Sequence, residues 1–406
     1  PLERILCIYK ELDPSITFVC EKNMSLGVED EISYNMLSMI CKSGIIKTDG
    51  REKHLSDTAY IMFTSGTTGK PKGILISYEA LFNFINWIDS ILPEKRFTII
   101  NQSLFSFDIS IFDFYYSLFR ACKMICITRN NQHEIIDYIQ GETKVLLFST
   151  PSYIKKIIYE NKNKAKDVQA LKVLLIGGDY LDLKLARESM NMFKTANIYN
   201  LYGPTEATVV VSKVLINDLL LDEGIEEIPI DYTGNNIYVA NENGDELGEG
   251  NIGEIIIRGK QLAIGYLGDK KQTQQKFIFN SRKERVYFTG DLGELKNGKI
   301  FFRGRKDMQC KINGYRIEIL DVENNIREIP GIDDVLCILK KDKNSSYLEA
   351  EIILEKENSK CEQEIRGELK DKIPSYMIPK VINIVPHFQL NINGKKRRSK
   401  NAEYKI

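Results

Sequence analysis

Tyr60 to Gly73 read YIMFTSGTTGKPKG, an apolar run that breaks into hydroxyls, glycines and lysines. Tyr60 to Phe63 have the pattern of a buried strand end. The segment after them combines backbone N–H groups freed by glycine, short hydroxyls, and Lys70 and Lys72, the ingredients of a polyphosphate cradle. The ATPase phosphate loop has a glycine where this chain has Thr64 and a hydroxyl residue where it has Pro71, so that pattern is not met. The dinucleotide fingerprint is not met either, because Pro71 would interrupt the first turn of a following helix. Alone, the stretch also fits a surface loop, and the rest of the chain decides.

The 406 residues suffice for about two or three domains. Lys plus Arg and Asp plus Glu number 56 each, so no global field recruits nucleic acid or an anionic membrane. No apolar run is long enough to span a bilayer and no signal-peptide pattern is visible, so a cytoplasmic protein without membrane insertion is expected. The eight cysteines include no Cys-x-x-Cys pair and the chain has three histidines. Cysteines in apolar runs such as KMICIT therefore read as small buried hydrophobes rather than as a zinc site or disulfide framework.

Outward from the opening stretch, short apolar runs alternate with helical patterns: AYIMFT, FTII, KMICIT, KVLLFSTPS, LKVLLIGG and ANIYNLYG, with helices expected over Tyr153 to Asn161 and Leu181 to Phe193. This is the signature of parallel strands with crossover helices, a layered α/β domain. From about residue 230 a β-rich subdomain follows, with Asn243-Gly244 and Asn297-Gly298 as hairpin turns. The last part mixes a helix from Leu320, the strands VLCILK, YLEAEIILE and VINIV, and a charged helix near Glu362 to Lys372. It reads as a small α+β C-terminal domain. The expected division is 1–306 and 307–406.

FTSGTTGKPKG, FSFDIS, NLYGPTEAT, GEIIIRG, YFTGDLG, FFRGRKDMQCKINGYRIE and NGK follow one another in the order found in the adenylate-forming superfamily. The chain resembles that family from end to end, its amino-acid-activating members above all and the D-alanyl carrier protein ligases among them. PLERILCIYKELDPSITFV resembles an internal segment of the family, so by the resemblance this sequence is expected to lack the front of a typical member. The resemblance implies an ATP-dependent ligase that releases AMP and pyrophosphate, with Mg²⁺ as its metal ion and a mobile C-terminal domain.

By that resemblance, Thr64, Ser65, Gly66, Thr67, Thr68 and Lys72 hold the β- and γ-phosphates of ATP. Thr205 contacts the α-phosphate, Glu206 holds Mg²⁺ and Asn200 and Tyr202 line the purine site. Asp291 accepts both ribose hydroxyls with Arg305 as its companion. Lys395 bridges the substrate carboxylate and the α-phosphate, Asp307 is the hinge, and Lys311 lies on a loop that serves the second step.

Asp108 matches the aspartate with which amino-acid-activating members hold the substrate ammonium, and it also fits an N-cap of the helix that follows. Ile109, Phe112, Ile176, Gly177, Tyr199 and Leu201 wall the pocket by the same resemblance, which suits a small side chain, D-alanine first. Gly177 stands where D-alanine ligases often carry cysteine, which opens space. The expected partner is a phosphopantetheinylated carrier protein in trans, the expected context lipoteichoic acid biosynthesis, and the expected state a monomer. The alternatives are an adenylation domain of a nonribosomal peptide synthetase and a non-catalytic ATP-binding module.

Overall fold

The computed structural model describes residues 2–12, 14, 17–18, 31–32, 53–66, 71–161, 168–222, 224–232, 236–307, 309–341, 346–355 and 360–388. Thr67, Thr68 and Lys395 lie outside these residues. The chain forms two compact units, one of Leu55–Thr64 and Lys72–Arg316, the other of Pro1–His54, Ser65–Pro71 and Ile317–Ile406.

In the first unit, a six-stranded sheet runs in the order Ser212–Ile216, Asn197–Tyr202, Leu171–Ile176, Val145–Ser149, Thr98–Asn101, Met124–Cys126. All neighbours are parallel except the first pair. Every residue of Val145–Ser149 is buried, as a strand covered by helices on both faces must be. Helix Leu183–Met192 stands within its predicted segment, and helix Pro151–Glu160 covers most of the other but begins before Tyr153. Asp182 starts helix Leu183–Met192 by accepting the Leu185 N–H at 2.7 Å. Alternation along the strands sends side chains into two core layers: Leu175, Tyr199 and Leu201 join Phe112 and Phe148 in one, Leu174, Ile176 and Ile198 the other. Cys126 departs from the buried reading. It ends the edge strand and is exposed, whereas Cys310 and Cys337 are buried.

The β-rich subdomain is an antiparallel sheet ordered Asp231–Tyr232, Lys299–Arg305, Arg285–Lys296, Ile252–Arg258, Ile237–Ala240, with Phe277–Phe279 also paired to Arg285–Lys296. Asn297 and Gly298 close its central hairpin with φ of 51° and 68°, the left-handed pair that a two-residue hairpin turn requires. Beyond the turn, a bulge leaves Arg303 without a ladder partner, and its guanidinium reaches Glu294 and Glu227 instead. Past the bulge the register sets Asp291 directly opposite Arg305.

The second unit pairs Ile332–Lys341 antiparallel with Ser346–Leu354, and the latter parallel with Val381–Ile384. Helices Ile319–Arg327 and Glu362–Lys372 accompany this sheet. Contacts group Asp307 to Arg316 with the α/β core rather than with the C-terminal part. Tyr315 packs edge-on to Phe107 at 4.7 Å, the Gly314 N–H reaches Asp179 and Arg316 pairs with Glu206.

Candidate active site

The stretch from Asn197 to Ala207 runs up a buried strand, breaks at Gly203-Pro204 and closes in a single 3-10 turn, Thr205–Ala207. Gly203 is required there, because a Cβ would stand 2.4 Å from the Val210 Cα. Thr208 and Val209, both β-branched, then adopt φ of 57° and 69°, a costly conformation for such side chains. Tyr202, Thr205 and Glu206 each enter a different polar cluster.

Tyr202 donates its hydroxyl to Asp291 Oδ2 at 2.6 Å. Arg305 pairs with the other oxygen of Asp291 and donates from Nε and Nη2 to Asp307 at 2.6 and 2.8 Å. Burial opposes the charge on Arg305, but its bonds to Asp307 and the charge of Asp291 outweigh it and raise its pKa. Gly290 lies beneath this triad at φ 78°, and any Cβ would come within 2.8 Å of Arg305 Nη2. The adjacent Asn200 is spent locally, donating to the Pro229 carbonyl at 3.0 Å.

Glu206 is fully shielded from solvent. Its Oε1 accepts from the Tyr266 hydroxyl at 2.9 Å and its Oε2 from Arg316 Nη1 at 2.5 Å. Burial pushes its pKa up, but the Arg316 charge, Lys72 and the Arg316 hydrogen bond prevail and hold the carboxyl well below the usual range. Lys72 stands over the Tyr266 ring, 4.9 Å from its centroid. An ionised, buried carboxylate is the hard oxygen donor that Mg²⁺ takes. Among the described residues no group of three or more His, Cys, Asp or Glu could hold a metal ion.

Thr205 Oγ1 donates to Asp108 Oδ2 at 2.6 Å. Asp108 precedes helix Ile109–Arg120, yet its side chain makes no cap bond, so its carboxylate is committed to Thr205 rather than to the helix. Desolvation raises its pKa, against the Thr205 bond and the positive charges of Lys311 and Arg316. Ile109, Phe112, Tyr199 and Leu201 share one core layer beside it. Ile176 does not join them; as the next residue after Leu175 it points into the opposite layer. Gly177 opens little space, since a Cβ would meet the Leu201 carbonyl at 3.1 Å and Phe148 at 3.3 Å.

Thr64 ends its strand in the first unit, with Oγ1 buried and unpartnered among the described residues. Ser65 and Gly66 belong to the second unit, where Ser65 Oγ accepts the Glu318 N–H at 3.1 Å and Asp321 accepts the Gly66 N–H. Arg4 donates to the same buried Asp321 at 3.2 and 3.3 Å. Arg316 and Tyr266 were not singled out from sequence. The available signal was the arginine directly after Asn313-Gly314-Tyr315 and the tyrosine in IGYLG.

Residues 14–267 match the AMP-binding enzyme family, and residues 321–395 match the AMP-binding enzyme C-terminal domain. The chain belongs to the AMP-binding enzyme family. It is an ATP-dependent ligase. It is 33% identical over 429 residues to the D-alanine--D-alanyl carrier protein ligase of Listeria monocytogenes serotype 4b, covering 99% of this chain and 82% of that one. The protein of the same name from Bacillus velezensis is 34% identical over 86% of this chain and 71% of its own. Among solved structures, the Vibrio cholerae adenylation domain AlmE in complex with glycyl-adenosine-5'-phosphate is 25% identical with a TM-score of 0.75, over 86% of this chain and 66% of that chain. An NRPS protein containing adenylation and PCP domains, bound to a vinylsulfonamide inhibitor, has a TM-score of 0.80 at 23% identity, over 98% of this chain and 68% of that one, a likeness of fold. No helix among the described residues is long and apolar enough to cross a membrane.

Proposed function

We propose that this chain activates a small amino acid, D-alanine first, as its aminoacyl-adenylate and passes the acyl group to the phosphopantetheine thiol of a carrier protein. A substrate carboxylate oxygen attacks the α-phosphorus of ATP and pyrophosphate leaves. The thiol sulfur, its proton lost to solvent, then attacks the acyl carbonyl and AMP leaves. The observation that carries the reading is Asp108. Its carboxylate is held by Thr205 at the edge of an apolar layer, where burial raises its pKa and a cationic group would restore its charge.

In this reading Asp108 pairs with the substrate ammonium, while Ile109, Phe112, Tyr199 and Leu201 limit the side chain, with Gly177 held tight behind them. Tyr202 and the Asp291–Arg305 pair bind adenosine, and Asn200 sets the strand end. Thr205 is assigned to the α-phosphate and Thr64, Ser65, Gly66, Thr67, Thr68 and Lys72 to the terminal phosphates by their place in the sequence motifs. Glu206 holds the magnesium ion, which supplies charge neutralisation at the phosphates when bound. Lys395 stabilises charge at the α-phosphorus, Asp307 is the hinge and Lys311 serves the thiol step. The carrier protein acts in trans, and the enzyme is a cytoplasmic monomer.

Amino-acid-dependent pyrophosphate exchange across D- and L-amino acids tests this. Alanine is expected to support exchange and propionate, which lacks the ammonium, to fail. Asp108→Ala is expected to lose most alanine-dependent exchange, to lose the preference over propionate, and to bind ATP as before. A mutant that still prefers alanine as strongly as wild type overturns the assignment.

A further inference from the structure

The proposed function requires a cation at Glu206, and the fold already supplies one. Tyr266 holds Oε1, and Arg316, carried on the strand after the Asn313-Gly314 turn, holds Oε2. The arginine side chain is 15% exposed against 0% for the glutamate. A magnesium ion sits about 2.0–2.1 Å from its oxygen ligands and keeps several waters. On Oε2, which Arg316 Nη1 already holds at 2.5 Å, it would bring a second positive charge within a few ångströms of the guanidinium, and the two cations repel.

We infer that Arg316 and a divalent metal ion are alternative counter-ions for Glu206: the guanidinium compensates the carboxylate in the metal-free protein and yields it when Mg²⁺ arrives. The inference rests on the nucleotide-activating reading above but concerns only this chain's own side chains. Either cation spares the molecule a buried, uncompensated carboxylate, which is costlier than either pair. Tyr266 keeps Oε1 in both states, so the carboxylate stays oriented while its partner changes. Lys72, over the Tyr266 ring, adds positive charge beside Glu206. Arg316 is therefore a positioning residue. Residues 309–316 would keep the Arg316–Glu206 ion pair only while no metal is bound.

The test uses Mn²⁺ alone as a spectroscopic probe of the full chain, without nucleotide. Removing the competing cation in Arg316→Gln is expected to tighten Mn²⁺ binding by about tenfold or more, while Arg316→Lys stays close to wild type. Glu206→Gln is expected to abolish the binding in every background. Should Arg316→Gln fail to fold, hydrogen exchange over residues 309–316 of the wild-type chain replaces it, with faster exchange expected when Mg²⁺ is added. Unaltered Mn²⁺ affinity in a folded Arg316→Gln protein, binding that survives Glu206→Gln, or exchange indifferent to Mg²⁺ each overturns the inference. Loss of the functional reading shows elsewhere, as the absence of any amino-acid-dependent pyrophosphate exchange by the wild-type chain.

Discussion

Glu206 and Asp113 are both fully shielded from solvent, in the same compact unit, and they carry opposite charge states. Glu206 sits in a turn after a strand, between a guanidinium and a phenol, and stays ionised although burial opposes it. Asp113 sits inside helix Ile109–Arg120, where the Asn101 amide donates one bond at 2.8 Å and Oδ1 has no partner among the described residues. Burial pushes the Asp113 carboxyl up to about 8, and the Asn101 bond offsets little of it. Asp113 is thus a neutral acid at physiological pH. Depth alone does not decide charge. A fixed cation keeps a buried carboxylate usable for chemistry, and a lone amide leaves it as a core polar group.

The largest expected effect falls on the charged member. Arg316→Ala strands an ionised carboxylate, and urea denaturation should report a loss of about 3–5 kcal/mol. A loss below about 1 kcal/mol, the scale of an exposed pair, would erase the contrast.

Asp113 sharpens the contrast through pH. Its folded pKa lies above the about 3.9 of a free aspartate, so the folded state binds the extra proton between about 4 and about 8. Its contribution to stability is complete at the acid end and falls as pH rises through that window, by up to about 1.4 kcal/mol per pH unit. Asp113→Asn, which stays neutral, should flatten this slope and be more stable than wild type at pH 8, as read from denaturation midpoints across the window. Equal slopes would mean that Asp113 is ionised like Glu206.

An exposed carboxylate calibrates both. Asp182→Ala removes the cap bond to Leu185 and should cost about 1 kcal/mol in the same denaturation assay. Asp108→Ala has no cap bond to lose, so a matching loss there would return Asp108 to the capping role.

The α/β alternation, the Asn297-Gly298 hairpin and the helix–strand–helix order of the C-terminal part were legible because each rests on local periodicity or turn chemistry. The Asp291–Arg305 pairing could be expected from the family resemblance, and the ladder supplies its geometry. The resemblance sets Ile176 beside Tyr199 and Leu201, whereas strand alternation packs its side chain in the other core layer. The partner of Glu206 was not legible. It lies 110 positions away on a hairpin, and nothing local to YGPTE indicates which distant arginine folds back onto it. Asp113 was hidden for a related reason: a helix pattern shows an acid on a face, not the depth of that face.

The bulged hairpin that ends at Asp291 and Arg305 has a consequence for how such a gene can vary. The two side chains meet because the ladder is counted out from Asn297-Gly298, through one bulge, to a fixed register. Replacing letters along those strands leaves the count intact. Losing or gaining a single codon between Gly293 and Gly304 moves every later residue to the opposite face and parts the carboxylate from its arginine. The segment can drift in composition, but its length is held by a contact at its far end.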